Sequence, residues 1–88
     1  MEKKTLVLGA SEKSDRYSNM AVKKLVAHNH SVIAVGNKEG EINDVKILKY
    51  IPAIIGVDTV TLYLNPTNQK PYYDYILSLN PKRIIFNP

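Results

Sequence analysis

Apolar residues along the chain fall into short, strand-length runs separated by polar stretches whose remaining apolar positions recur at helical spacing. "KTLVLG" (Lys4–Gly9) is the first run, closed by glycine, as expected for a strand buried on both faces. "SNMAVKKLVAHN" follows, with Ala21/Leu25 and Val22/Val26 at i, i+4, the apolar stripe of a helix with its lysines outside. Ser18 or Asn19 is expected to cap its start, and Asn29 to take the left-handed position at its end. "SVIAVG" (Ser31–Gly36) reads as the second strand.

The middle carries a weaker signal. A turn is expected at Glu39–Gly40, a short strand around Val45–Leu48 and a helical turn near Pro52–Ile55. "VDTVTLYLN" (Val57–Asn65) is rich in β-branched and aromatic residues and reads as a strand. "TNQKPYYDYILSLN" is then helical, with Tyr72, Ile76 and Leu79 at i, i+4, i+7 and Pro71 in the first turn. "KRIIFN" (Lys82–Asn87) closes the series as a short strand. Such alternation predicts an α/β protein: a doubly wound, mostly parallel sheet with helices on both faces. At 88 residues it is one domain, with no internal repeat, linker or low-complexity tract.

Composition narrows the classes. The chain has no cysteine, which removes disulfides and thiolate metal sites and suits a reducing cytoplasm. No apolar run approaches the ~18 residues of a membrane helix, so no membrane partner is expected. "MEKKTLVLG" has no small-residue cleavage site after it and reads as a first strand rather than a secretion signal. Twelve basic against eight acidic residues give +4, a surplus that attracts polyanions. The lysines are scattered, however, and the aromatic–basic alternation of an RNA-binding sheet is missing, which disfavours nucleic acid.

The chemistry concentrates in "LVLGASEKSDRYSNMAV", where the first strand runs through a polar loop into the helix. In a parallel sheet, loops at the carboxyl ends of strands line the ligand crevice. Gly9 lets backbone approach a ligand without a Cβ in the way. The helix start offers partly positive N–H groups, Lys13 and Arg16 add full charges, and Ser11, Ser18 and Asn19 can donate hydrogen bonds. A phosphate is the matching ligand, although any α/β domain needs a polar loop here. Of the three glycines in the dinucleotide fingerprint G-x-G-x-x-G, only Gly9 is present; Ser11 and Ser14 hold the other places.

The end of the second strand separates the nucleotide classes better. An NAD-binding domain usually places Asp or Glu there for the ribose hydroxyls, whereas this chain reads Val35, Gly36, Asn37, Lys38. A cation favours an additional ribose phosphate, such as the 2′-phosphate of NADP or the 3′-phosphate of coenzyme A.

"KTLVLGASEKSDRYSNMAVKKLVAHNHSVIAVGNKEGE", with "VDTVTLYLNPTNQKPYYDYILSLNPKRIIFNP", closely resembles small bacterial CoA-binding domain proteins. Their Rossmann-like domain is related to the CoA-binding domain of the succinyl-CoA synthetase alpha chain. The resemblance is strongest at the "GAS…R(Y)S" loop and the "TVTLYLNP…PYYDYI" block. It implies that Gly9, Ala10, Ser11 and the residues through Arg16 and Ser18, with Lys13 and Tyr17 among them, wrap a pyrophosphate. It implies further that Val35, Gly36 and Lys38 meet the adenosine ribose and its 3′-phosphate, and that Leu64, Asn65 and Pro66 line the adenine or pantetheine side. Two departures stand out. "HNH" at 28–30 lacks the central glycine, and the family's glycine turn, final helix and final strand do not follow "FNP", so either the domain is shortened at its C-terminus or that piece was never present.

No other chemistry is assembled by spacing. His28 and His30 have no third metal ligand nearby, no carboxylate pair suits acid–base catalysis, and no nucleophile–histidine set is evident. Tyr72, Tyr73 and Tyr75 face different sides of one helix, Tyr72 toward the core and Tyr73 and Tyr75 partly exposed, with an aromatic ligand box there as the minority reading. The expected function is therefore non-catalytic binding of CoA or acyl-CoA through the ADP 3′-phosphate moiety, as a carrier, sensor or accessory subunit. An NAD(P)-binding module and a basic protein- or RNA-interaction module are the alternatives, and a homo-oligomer is left open.

Overall fold

The structure, a computed structural model, describes residues 3–87. Its elements alternate in chain order: β1 (Lys4–Leu8), α1 (Tyr17–Ala27), β2 (Ser31–Val35), β3 (Gly40–Ile42), β4 (Val45–Leu48) and β5 (Val57–Leu62). α2 (Pro66–Gln69), a 3₁₀ turn (Lys70–Tyr72), α3 (Tyr73–Leu79) and β6 (Arg83–Phe86) complete it. The six strands form one sheet in the order β3-β4-β2-β1-β5-β6, parallel except for β3.

The strand alternation sends residues to two separate apolar layers. Leu6, Leu8, Val60 and Leu62 point to one face, where Ile76, Tyr72 and Tyr75 pack over them. Val7 and Ala34 point to the other, under Val22, Leu25 and Val26 of α1. The i, i+4 stripe of α1 therefore does what its spacing predicts. The outcome is the expected Rossmann-like α/β fold with helices on both faces. Asn29 is in the left-handed region (φ 61), ending α1 as expected, and Asn80 does the same after α3 (φ 50).

Four local expectations need correction. The turn anticipated at Glu39–Gly40 lies instead at Asn43–Asp44, both with positive φ (44° and 70°), and Gly40 starts β3. Paired with Ile42↔Val45, this is a two-residue hairpin whose left-handed positions Asn and Asp tolerate. Secondly, residues 51–56 are not helical. Leaving β4, the chain must cross β2 and β1 to start β5, about three strand spacings of ~4.8 Å, and return along the strands. Eight residues cover that diagonal only when extended, since a helix of that length spans only ~12 Å.

Thirdly, the helix expected over 67–80 begins one residue earlier and is interrupted. Asn65 caps it, accepting from the Asn68 N–H at 2.9 Å, with Pro66 in the first turn. Pro71 lies in the 3₁₀ turn between α2 and α3, where its missing N–H disturbs the ladder. Finally, neither Ser18 nor Asn19 caps α1. The N-cap position is Arg16, with no side-chain cap bond, and both polar residues sit inside the first turn and are buried.

Candidate functional site

The carboxyl ends of four neighbouring strands, β4, β2, β1 and β5, open onto one cleft of about 1200 Å³. Its central wall is the loop from Gly9 to the start of α1. Gly9 has φ +90, and a Cβ there would lie 2.6 Å from the Tyr63 carbonyl oxygen, so glycine is required twice over. The N–H groups of Gly9 and Ala10 both donate to the Val35 carbonyl, at 2.8 and 2.9 Å, which ties the loop to the end of β2. Beyond this tie, the Ser11 hydroxyl accepts from the Lys13 N–H (3.1 Å), and Asn19 Nδ2 donates to the Ser11 carbonyl (3.0 Å).

That last bond explains why Asn19 is buried. It supports the loop from beneath, and its Oδ1 is a buried acceptor without a partner among the described residues. Asn19 and Met20 direct their N–H groups back to the Arg16 carbonyl. Tyr17 and Ser18 thus stand at the helix start, where N–H groups have no intrahelical acceptor and the helix dipole is positive. Arg16, Tyr17 and Ser18 line the cleft at that point, so the electrostatics favour an anion.

Of the residues singled out in the sequence, Gly9, Ala10, Ser11, Lys13, Arg16, Tyr17, Ser18, Gly36, Lys38, Leu64 and Asn65 all line this cleft. Lys38 comes from the loop after β2 and yet shares the cleft with the β1–α1 loop, because β1 and β2 are adjacent and in parallel register. Three others lie elsewhere. Asn19 is under the loop, the Val35 side chain is fully buried in the sheet's core, and Pro66 is exposed in the first turn of α2.

The sequence reading missed several lining residues. Lys49 and Ile51 follow β4, whose partnership with β2 brings them beside Gly36, itself donating to the Leu48 carbonyl at 2.9 Å. Asn37 and Glu39 fill out the rim beside Glu12, which the pyrophosphate stretch already included, and Tyr63, Asn68, Pro71 and Tyr72 form the wall over β5. Parallel pairing of β4 with β2 was the missing signal for Lys49; the helix break at Pro71 was the missing signal for the Tyr72 wall. Two hydrogen bonds brace that wall: Gln69 Nε2 donates to the Leu64 carbonyl at 2.7 Å, and the Tyr73 hydroxyl donates to Gln69 Oε1 at 3.0 Å.

The cleft therefore has a gradient. Lys13, Arg16, Lys38 and Lys49 outnumber Glu12 and Glu39 over β1, β2 and β4, while the part over β5 carries no charged lining residue and mixes Leu64, Pro71 and Tyr72 with Asn65 and Asn68. A second cavity of about 370 Å³ lies over the α1 face of β5, with His28, His30 and Asp58 at its edge. A 2.7 Å bond from the Thr59 hydroxyl, with the charges of Lys3, Lys82 and Arg83, holds the Asp58 carboxyl below its usual range despite burial's opposing effect. Among the described residues no group of three or more metal-ligating side chains comes together. Nor is any described helix long and apolar enough to cross a membrane.

An open, mostly parallel sheet with a glycine-led loop feeding a helix start is a Rossmann-like arrangement. The chain belongs to the CoA binding domain family, whose profile matches residues 3–88. It is similar to the crystal structure of an uncharacterized protein, with 53% identity and a TM-score of 0.93 over 100% of this chain and 73% of that one. It also resembles a hypothetical protein from Pyrococcus horikoshii OT3: 27% identity, TM-score 0.78, 94% of this chain and 59% of that one. A conserved hypothetical protein from Pyrococcus furiosus shares the fold, with TM-score 0.77 and 24% identity over 100% of this chain and 76% of that one. No curated protein matches the chain.

Proposed function

We propose that the cleft binds coenzyme A or an acyl-CoA through its ADP 3′-phosphate moiety, without catalysing a reaction on it. The observation that carries this reading is the convergence of Lys38 with the Gly9–Ser18 loop on one cleft. A pyrophosphate fits the loop, where first-turn N–H groups meet Lys13 and Arg16, and a ribose phosphate fits the cation after β2. The order of strand ends then runs the ligand from Lys38 across the β1–α1 loop toward Leu64 and Asn65. Its uncharged wall suits a pantetheine arm. The cleft volume exceeds the ~300–1,000 Å³ of drug-sized ligands, as an elongated ligand requires.

The reading extends to a carrier, sensor or accessory role for the bound CoA. Glu39 also lines the cleft and can accept from ribose hydroxyls, so nicotinamide dinucleotides are the rival ligands. Thermal shift with CoA, acetyl-CoA, NADH and NADPH separates them. Saturation at ~100 times Kd stabilises the fold by ~2.7 kcal/mol. A shift with CoA or acetyl-CoA alone supports the reading; a shift with NADH or NADPH alone, or with no nucleotide, overturns it.

A further inference from the structure

The segment Gly36–Gly40, which carries Lys38, is an arch pinned at both feet to the β1–α1 loop. At the first foot, a Cβ on Gly36 would lie 2.3 Å from the Ala10 carbonyl oxygen, so these backbones are in direct contact. At the second, a Cβ on Gly40 would lie 2.4 Å from the Glu12 carboxyl carbon. The same Glu12 accepts, through Oε2, from the Glu41 N–H at 3.0 Å, across 29 residues of sequence. Lys38 stands between the feet, exposed, with no hydrogen-bond partner of its own among the described residues.

We infer that Glu12 is a positioning residue for Lys38: its carboxylate fastens the arch to the β1–α1 loop and so sets the distance between the two phosphate-holding parts of the cleft. A carboxylate in an anion cleft works against the ligand by its charge; the bond from the Glu41 N–H gives it a structural task there. The backbone bond also fixes where Lys38 starts from. An unpinned arch would sample open positions, and the apparent affinity for a phosphate that needs Lys38 would fall by the fraction of time lost. The inference rests on the CoA reading above, and it assigns a task to a side chain on which no ligand contact is required.

The test compares wild type, Glu12→Ala, Glu12→Gln and Gly40→Ala. Two readouts are taken: exchange of the Glu41 amide hydrogen, and the ratio of affinities for CoA and dephospho-CoA. Gln keeps an oxygen that accepts from Glu41, while Ala at 40 displaces the Glu12 side chain, whose flexible end can swing away without unfolding the protein. Glu12→Ala and Gly40→Ala are expected to speed Glu41 exchange and to cut the CoA preference about three- to tenfold, as when Lys38 is in place for a third to a tenth of the time, a smaller loss than removing Lys38 itself. Glu12→Gln is expected to preserve both. Unchanged exchange in Glu12→Ala overturns the pin. Faster exchange with an unchanged ratio, or equal losses for both ligands, overturns the positioning of Lys38. If the wild type itself shows no CoA preference, the functional reading fails and takes the role of the pin with it, whatever the exchange data show.

Discussion

Gly36 and Ala10 touch backbone to backbone: a Cβ on Gly36 would lie 2.3 Å from the Ala10 carbonyl oxygen. This contact joins the loops after β1 and β2 at the floor of the cleft, just beyond the paired residues Leu8↔Val35. Backbone cannot swing aside as a side-chain end can. Gly36→Ala is accordingly expected to cost about 1–3 kcal/mol, the range for forced overpacking. Urea denaturation measures it, and the same variant should weaken nucleotide binding because the two loops separate.

The Tyr75 hydroxyl predicts an alkaline limit. It donates to the Pro52 carbonyl at 2.7 Å, which helps to hold the extended 49–56 crossing against α3. Burial raises its pKa above the ordinary 10.0. A phenol whose pKa is higher folded than unfolded contributes stability fully below about pH 10, and loses it as pH rises through the folded value. Tyr75→Phe should be less stable than wild type at pH 8, with the gap closing toward pH 11; parallel melting curves over that range check it.

At the acid end Asp58 has the opposite sign. Its lowered pKa contributes stability above the ordinary 3.8 that is lost as pH falls through the folded value. Asp58→Asn should therefore flatten the stability profile below pH 4, read from melting temperatures between pH 2 and 5.

Strand β6 predicts self-association. Among the described residues it pairs with β5 alone, and Ile84, Ile85 and Phe86 are all exposed there, Phe86 to 58%. An open apolar edge is a template for further strand pairing. β3, at the opposite edge, is shorter and carries Glu41. Ile85→Lys with Phe86→Lys should reduce association at high concentration, measured by light scattering, whereas Glu41→Lys should leave it unchanged.

The main architecture was legible because buried parallel strands need apolar runs and α1 needs its stripe. Both are local patterns that no distant contact reverses. The errors lie where non-local geometry decides. Residues 51–56 are extended because they must reach β5, a demand set by strand order rather than by their own propensities. Ser18 and Asn19 are good caps by type, yet Asn19 is drawn under the loop by the Ser11 carbonyl. In the cleft, Lys38 was legible from its place after a strand. Lys49 was not, because its nearness depends on β4 pairing with β2.

The most direct measurement is calorimetric titration of wild type and Lys38→Ala with CoA and with dephospho-CoA. A charge-assisted hydrogen bond contributes about 1.5–3 kcal/mol, so the variant should lose roughly ten- to hundredfold in CoA affinity. Dephospho-CoA, lacking the 3′-phosphate, should bind both proteins alike. Equal losses for the two ligands, or no loss for either, would contradict the assignment of Lys38 to the ribose phosphate.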